Sequence, residues 1–297
     1  MDPTTMNRHV VVACIPFLFV FLWGTGFVGA KYGMSGAEPA SFLALRFLLA
    51  GLMLLVLGVF LGSRWPGSLR EIVHSAVAGI LIHGVYLGGV FAAIYHGFPA
   101  GVSAVIVGVH PLVTAFLAAR ILGEKLSVLN VAGLLLATLG IVLVIGADSL
   151  TLDGLHGWGI SLSVAALFGI SVGTFYQKRY CSEADLLSGT SIQYFAAMFF
   201  LLVPALALER NEFHWTPPVV GALLWLVIAL SLIAVLLLMY MIRNGEANRV
   251  ASLFYLVAPL TALETWILFD EQLSWLAVCG ILLCVGGVYL ARKPGTG

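Results

Sequence analysis

Charge is what this sequence has least of. Of 297 residues only 9% are Asp, Glu, Lys or Arg, while 61% are hydrophobic, and the mean hydropathy is +1.07. A soluble domain carries roughly 25% charged residues because its surface must face water. A chain so poor in charge cannot cover such a surface, so most of its exterior faces lipid. Charge of one sign is missing too: 14 basic residues balance 14 acidic ones, which gives nucleic acid or any other polyanion no footing. The four cysteines, Cys14, Cys181, Cys279 and Cys284, form no Cys-x-x-Cys pair and lie in or beside apolar runs. They read as small buried hydrophobes rather than as a metal or disulfide framework.

Catalytic signatures are absent as well. There is no His-Glu-x-x-His, no Gly-x-Ser-x-Gly and no phosphate-loop motif, and His83, His96 and His110 are not at metal-ligand spacing. The expectation is therefore no enzyme, no metal and no cofactor. "VVAC" ending at Cys14 faintly resembles a lipoprotein box, but only four apolar residues separate it from Arg8-His9. Val28-Gly29-Ala30 passes as a signal-peptidase site, yet the first apolar run has a counterpart later in the chain, so the fold needs it retained.

What the chain has in abundance is apolar runs long enough to cross a bilayer, about 20 residues each. They fall near 10–30, 39–61, 72–95, 101–121, 128–147, 157–177, 187–208, 218–242, 250–269 and 274–291. Ten transmembrane helices, an all-α membrane protein and no soluble domain follow. With the N-terminus inside, Arg8, Arg64, Arg70, Arg120, Lys125, Lys178, Arg179, Arg243, Arg249, Arg292 and Lys293 fall on the cytoplasmic side. Only Lys31, Arg46 and Arg210 fall on the outer side. The positive-inside rule thus places both termini in the cytoplasm.

The sequence also repeats. "VSAVIVGVHPL" (102–112) aligns with "VASLFYLVAPL" (250–260), and "EKLSVLNVAGLLLATLG" (124–140) with "EQLSWLAVCGILLCVGG" (271–287). "LWGTGFVGAKY" (22–32) has a looser echo in "LFGISVGTFYQKRY" (167–180), and Arg46-Phe47 falls opposite Gln193-Tyr194. The halves are 1–147 and 155–297. Each holds five spans, an odd number, so the second enters the membrane from the opposite side. Inverted repeats of this kind place a substrate site near the midplane between halves that rock about it. Channels are built this way too; transport is the favoured reading.

A Pro lies thirteen residues before Glu-x-Leu-Ser in the first half and twelve before it in the second, and the opening reads "LWGTGFVGAKYGMSGAEPASFLALRFLLAG". Together these blocks resemble the drug/metabolite transporter superfamily, EamA type, over nearly the whole chain. The resemblance implies ten helices around a central cavity enclosed by the third, fourth, eighth and ninth helices with the first and sixth. It also implies export of small metabolites by alternating access. Within that superfamily the chain is most similar to bacterial inner-membrane amino-acid exporters, the aromatic group included. The partners expected are a small-molecule substrate and the lipid bilayer, with the chain a monomer. An exporter of cationic drugs or quaternary amines is the alternative, and a lipid flippase or membrane enzyme a more distant one.

Candidate site residues follow from cost. Pro111 and Pro259 fall at matching mid-span positions, where each removes a backbone hydrogen bond and kinks its helix. At membrane depth that is tolerated where protein or a wet cavity satisfies the freed group. His83 and Tyr86 share a face of the third span with Gly79 and Val90. A histidine at the bilayer centre is a functional candidate by default. His110 is open between that role and a neutral imidazole bonded to a neighbouring helix.

Trp23, Phe168 and Tyr255 add aromatic faces at or near the repeat positions, and Tyr95 is a further aromatic. Substrate contact is therefore expected from Trp23, His83, Tyr86, His110, Phe168 and Tyr255. Glu264 is a candidate cation or proton-coupling site. Arg46 reads as snorkelling or structurally paired, with Glu264 a possible partner. Glu124 and Glu271 read as punctuation at helix ends. "GTGFVGAK" (24–31) mimics a dinucleotide fingerprint, but a membrane span rather than a strand precedes it. Its glycines read instead as close helix approach.

The charge bias makes a topological prediction. A fluorescent reporter fused after Gly297 should fluoresce in the cytoplasm, and alkaline phosphatase at the same place should be inactive. The opposite pattern would reverse the orientation.

Overall fold

A computed structural model describes residues 3–122, 127–149, 157–243, 256–257, 259–261, 263–264, 266–269 and 274–291. Among these the architecture is all-helical, with one isolated bridge, Ala37 to Phe213, in place of any strand. The helices are α1 (Pro3–Gly33), α2 (Pro39–Phe60), α3 (Leu69–Gly79 continuing through Ile80–Leu87 and Gly88–Tyr95) and α4 (Ala100–Gly108 and His110–Leu122). There follow α5 (Val128–Ser149), α6 (Gly157–Tyr180), α7 (Leu186–Leu208) and α8 (Pro217–Trp225, Leu226–Ala234 and Val235–Arg243). Further helical residues lie between 256 and 269, and α9 covers Trp275–Ala291.

Seven of the described helices are long and apolar enough to cross a membrane, and Val128–Gly140 and Val278–Gly287 form shorter apolar stretches. The first four and the sixth to eighth expected spans are thus matched by helices. The fifth and tenth contain the shorter stretches, and much of the ninth lies outside the described residues.

Local chemistry sets the ends. Ser68 caps the start of α3: its hydroxyl accepts from the Glu71 N–H at 3.3 Å and donates to the Glu71 carboxylate at 3.0 Å. Asp185 caps α7 through the N–H groups of Leu187 and Ser188. Pro39 and Pro217 open α2 and α8, where the missing N–H costs nothing. Glu209, just past α7, accepts from the N–H groups of Ala40 and Ser41 at 2.7 and 2.8 Å. That places an anion at the positive end of α2. The His214 N–H donates to the Gly36 carbonyl at 2.8 Å, so the 34–38 and 209–216 connections share one face.

The helices associate in matching pairs. α2 packs on α7 and α5 on α9; α6 lies along α3, and α1 lies along α8. Without a hydrophobic drive between helices in lipid, close backbone packing by small residues supplies the contact. A Cβ on Gly79 would collide with the backbone of Gln193 in α7. One on Gly140 would strike the Gly280 carbonyl and the Cys284 amide of α9. One on Gly287 would strike Gly133 and Ala137 of α5.

Gly140→Ala should therefore destabilise the detergent-solubilised protein by about 1–3 kcal/mol, the usual cost of overpacking. Gly221→Ala, with nothing within 4 Å of the added atom, should not. Midpoints of heating followed by size exclusion would separate the two; equal midpoints would refute the close α5–α9 contact.

Candidate functional site: a polar-aromatic cavity at mid-helix

Two cavities meet at Trp23, Phe27 and Tyr86. The first, about 60 Å³, is bounded by Trp23, Gly26 and Phe27 of α1, Arg46 of α2 and Tyr194 of α7. The wall is completed by Ile82, His83, Tyr86, Leu87, Val90 and Phe91 of α3, with Leu230 and Val235 of α8. The second, about 20 Å³, is bounded by the same three aromatics with Ala104, Val107, Gly108 and His110 of α4, Ile170 of α6 and Val257.

The walls are made where helix winding departs from ideal. Ile80–Leu87 in α3 and Leu226–Ala234 in α8 are wound as π-helix, with bonds spanning five residues. Ser231 donates its hydroxyl to the Leu226 carbonyl, five residues back, at 3.0 Å. Tyr194 donates its hydroxyl to the Ser231 carbonyl at 3.4 Å. Glycines press against both wide turns. Built Cβ atoms on Gly26 and Gly29 of α1 would lie 2.8 Å from Leu230 and Leu226 side-chain carbons. On Gly169 and Gly173 of α6 they would meet the Tyr86 amide and Ile82.

Arg46 is 4% exposed and faces the first cavity. Its Nε and Nη2 groups donate to the Ser231 hydroxyl oxygen at 3.4 and 3.2 Å, and its guanidinium lies 5.5 Å from the Phe47 ring centroid. Neither snorkelling nor pairing with Glu264 describes it: the side chain turns inward, and no described acid pairs with it. Around it the His83 ring meets Tyr194 edge-on at 4.7 Å, and Phe47 stacks on Tyr194 at 5.3 Å. The positions that align between the halves, Arg46-Phe47 and Gln193-Tyr194, therefore touch across the α2–α7 seam.

His110 follows from Pro111. In an unbroken helix the Val107 carbonyl would accept from the N–H of residue 111, but proline has none. α4 is interrupted at Val109, where a backbone N–H of the tightened turn reaches the Val107 oxygen and His110 Nδ1 lies 3.2 Å from the same oxygen. Ser171 of α6 donates to the His110 carbonyl at 3.5 Å. His110 thus bonds its own helix while lining the second cavity.

Glu264 is 8% exposed, and neither carboxylate oxygen has a hydrogen-bond partner among the described residues. A Cβ on Gly24 would sit 3.1 Å from one of those oxygens, and the neighbouring Thr261 donates to the Gly24 carbonyl at 3.4 Å. The first glycine of "GTGFVGAK" therefore makes room for an acid, not for a phosphate.

Of the residues expected from sequence, the structure brings Trp23, His83 and Tyr86 to the first cavity and Trp23, Tyr86 and His110 to the second. Phe168 is not among them. It is 55% exposed, on the side of α6 away from the buried stripe of Ser163, Ala166, Ile170 and Gly173. The reason is register. Thr114 donates to the Ser171 carbonyl as Thr261 donates to the Gly24 carbonyl, which sets Ser171 against Gly24 and hence Ile170, not Phe168, against Trp23. A two-residue slip turns a helix by roughly 200°. Tyr95 is 44% exposed at the end of α3. Pro111 and Pro259 are half-buried, and Tyr255 lies outside the described residues. Arg46, Tyr194 and Ser231 were missed as lining or supporting groups. An arginine at membrane depth, eight positions past Glu38, was signal enough to name Arg46.

Known proteins resemble the chain along its length. The model of the EamA-like transporter family matches residues 11–146 and again 157–292. An uncharacterized transporter, YvbV, of Bacillus subtilis is 25% identical over 92% of this chain and 88% of its own length. The uncharacterized inner membrane transporter YedA of Escherichia coli is 27% identical over 93% and 90%. A probable amino-acid metabolite efflux pump of Escherichia coli is 26% identical over 93% of both chains. A solved crystal structure superposes with a TM-score of 0.72 at 21% identity, covering 95% of this chain and 96% of that one, so the two share a fold.

Ser231→Ala should leave the buried guanidinium without its acceptor and cost about 1.5–3 kcal/mol, as for hydrogen bonds to charged groups. Phe168→Ala should stay within about 0.5 kcal/mol, as exposed positions do. Thermal midpoints of the two variants in detergent check this ordering, and its reversal would overturn the placement.

Proposed function

The chain belongs to the EamA-like transporter family, a family of multi-pass membrane proteins. From that premise we propose that it is a secondary transporter of the bacterial inner membrane, exporting amino acids or related small metabolites by alternating access. The observation that carries the reading is the polar-aromatic cavity at mid-helix, walled by wide turns of α3 and α8. The efflux-pump name of one relative supports the substrate class.

Two inverted five-helix repeats, 1–147 and 155–297, with both termini in the cytoplasm, are part of the proposal. The doubled family match, the paired packing of α1 with α8 and α6 with α3, and the π-wound turn in each half support it. At about 60 Å³ the cavity holds a few waters, not a whole amino acid. Substrate entry then requires the helices to part, and rotating the shared Trp23–Phe27–Tyr86 layer would join the two cavities. The substrate contacts proposed are Trp23, His83, Tyr86 and His110.

Glu264 is the proposed coupling group. A carboxylate buried without a partner is costly in its charged form, so a proton or small cation would bind there and be released when the helices part. The same unpaired acid is what favours the second reading, export of organic cations.

Counterflow in proteoliposomes against the common amino acids, with and without a pH gradient, tests this. We expect counterflow of at least one amino acid, speeded by an opposing proton gradient in the wild type and not in Glu264→Gln. Failure to move any amino acid, together with Glu264-dependent efflux of a cationic dye, would establish the second reading instead.

A further inference from the structure

We propose that Arg46 is a carboxylate-binding subsite, holding the anionic end of the transported molecule while Trp23, Phe27 and Phe91 face its apolar remainder. This rests on the transport reading above for the identity of the ligand, though not for the chemistry of the subsite.

Three observations carry it. Arg46 is a permanent cation, 4% exposed, with no carboxylate paired to it among the described residues. Arginine cannot shed its charge in a protein, and a buried charge without a counterion is destabilising until one arrives. Its hydrogen bonding is incomplete as well. Two groups of the fork converge on the one Ser231 oxygen, and the remaining donors have no acceptor among the described residues. A guanidinium fork matches the two oxygens of a carboxylate, and Arg46 faces the cavity in which such a group would lie.

The third observation is the rest of the wall. Among the described residues neither cavity is lined by Asp or Glu, so a ligand whose only charge is an amine finds no counterion in those linings. Tyr86, Tyr194 and His83 add polar edges beside the guanidinium, and the aromatic faces offer stacking. One cation balances one negative charge. A monoanionic carboxylate is matched by that balance, and a phosphate dianion would be left in excess. Glu264, the acid that is buried among the described residues, stands against Gly24 and belongs to neither lining. The site reads the acid end of a molecule, and the cationic-drug alternative loses its footing at this cavity.

The test uses the full-length protein in detergent with benzoate and its uncharged isostere benzamide, read as thermal stabilisation over a concentration series. Benzoate should stabilise the wild type and benzamide should not. Arg46→Gln should weaken benzoate binding about 10- to 100-fold, the loss of a charge-assisted pair, and Arg46→Lys should fall between. Absence of a benzoate effect on the wild type, or equal effects of benzoate and benzamide, overturns the subsite. Neither comparison depends on a variant folding.

In proteoliposomes, amino acids should then exchange while their amides and decarboxylated amines do not; amines exchanging as well as acids would again overturn it. Benzoate bound through Arg46 with no amino acid transported would instead sink the transport reading and leave the carboxylate subsite standing.

Discussion

Inside hydrocarbon every backbone N–H and C=O must find its partner within the protein, and the cavity is built from the places where that requirement is met in an unusual way. The π-wound turns of α3 and α8 widen the helices and disturb the regular ladder. At α8 the disturbance is repaired by side chains: Ser231 reaches the Leu226 carbonyl, and Tyr194 reaches the Ser231 carbonyl. At α4, where Pro111 removes a donor, His110 Nδ1 lies against the Val107 oxygen. Tyr194 and His110 thus line the cavities and at the same time bond the carbonyls of their walls. Wall and site cannot be altered independently.

Glycine is the second half of that construction. A wide turn can be packed only if the neighbouring helix comes close, and α1 and α6 approach through Gly26, Gly29, Gly169 and Gly173. Gly24 gives its space to the Glu264 carboxylate. A string of glycines that imitates a nucleotide loop is in fact a contact surface, with each glycine placed against a different neighbour. Lys31, which completes the imitation, lies 3.9 Å over the Phe269 ring at the end of α1.

The two buried charges have different surroundings. Arg46 is held by Ser231 and ringed by Phe47, Tyr194 and His83, on the wall of the larger cavity. Glu264 stands against Gly24 of α1's glycine motif. Joined, they would neutralise one another and fix their helices together. Kept apart, each remains available for the role proposed for it, Arg46 to a carboxylate and Glu264 to a proton.

Composition alone marks the chain as a membrane protein, because a surface with so few charges has no other solvent, and apolar runs of about 20 residues make its spans helices. Periodic apolar runs place the spans, and the repeated Pro and Glu-x-Leu-Ser blocks disclose two related halves. Mid-span cost also singles out His83, Tyr86 and His110, since a polar group at that depth is expensive wherever it points. Direction around a helix is what only the tertiary structure decided. Sequence alignment pairs Phe168 with Trp23, but helix contacts shift the register by two residues and turn Phe168 outward. Arg46 was legible as buried charge and not as a wall of the cavity, because whether it snorkels or turns inward depends on Ser231, which lies 185 residues away. A one-dimensional pattern fixes how deep a residue sits; the neighbour it faces is set by close backbone packing, which no single segment contains.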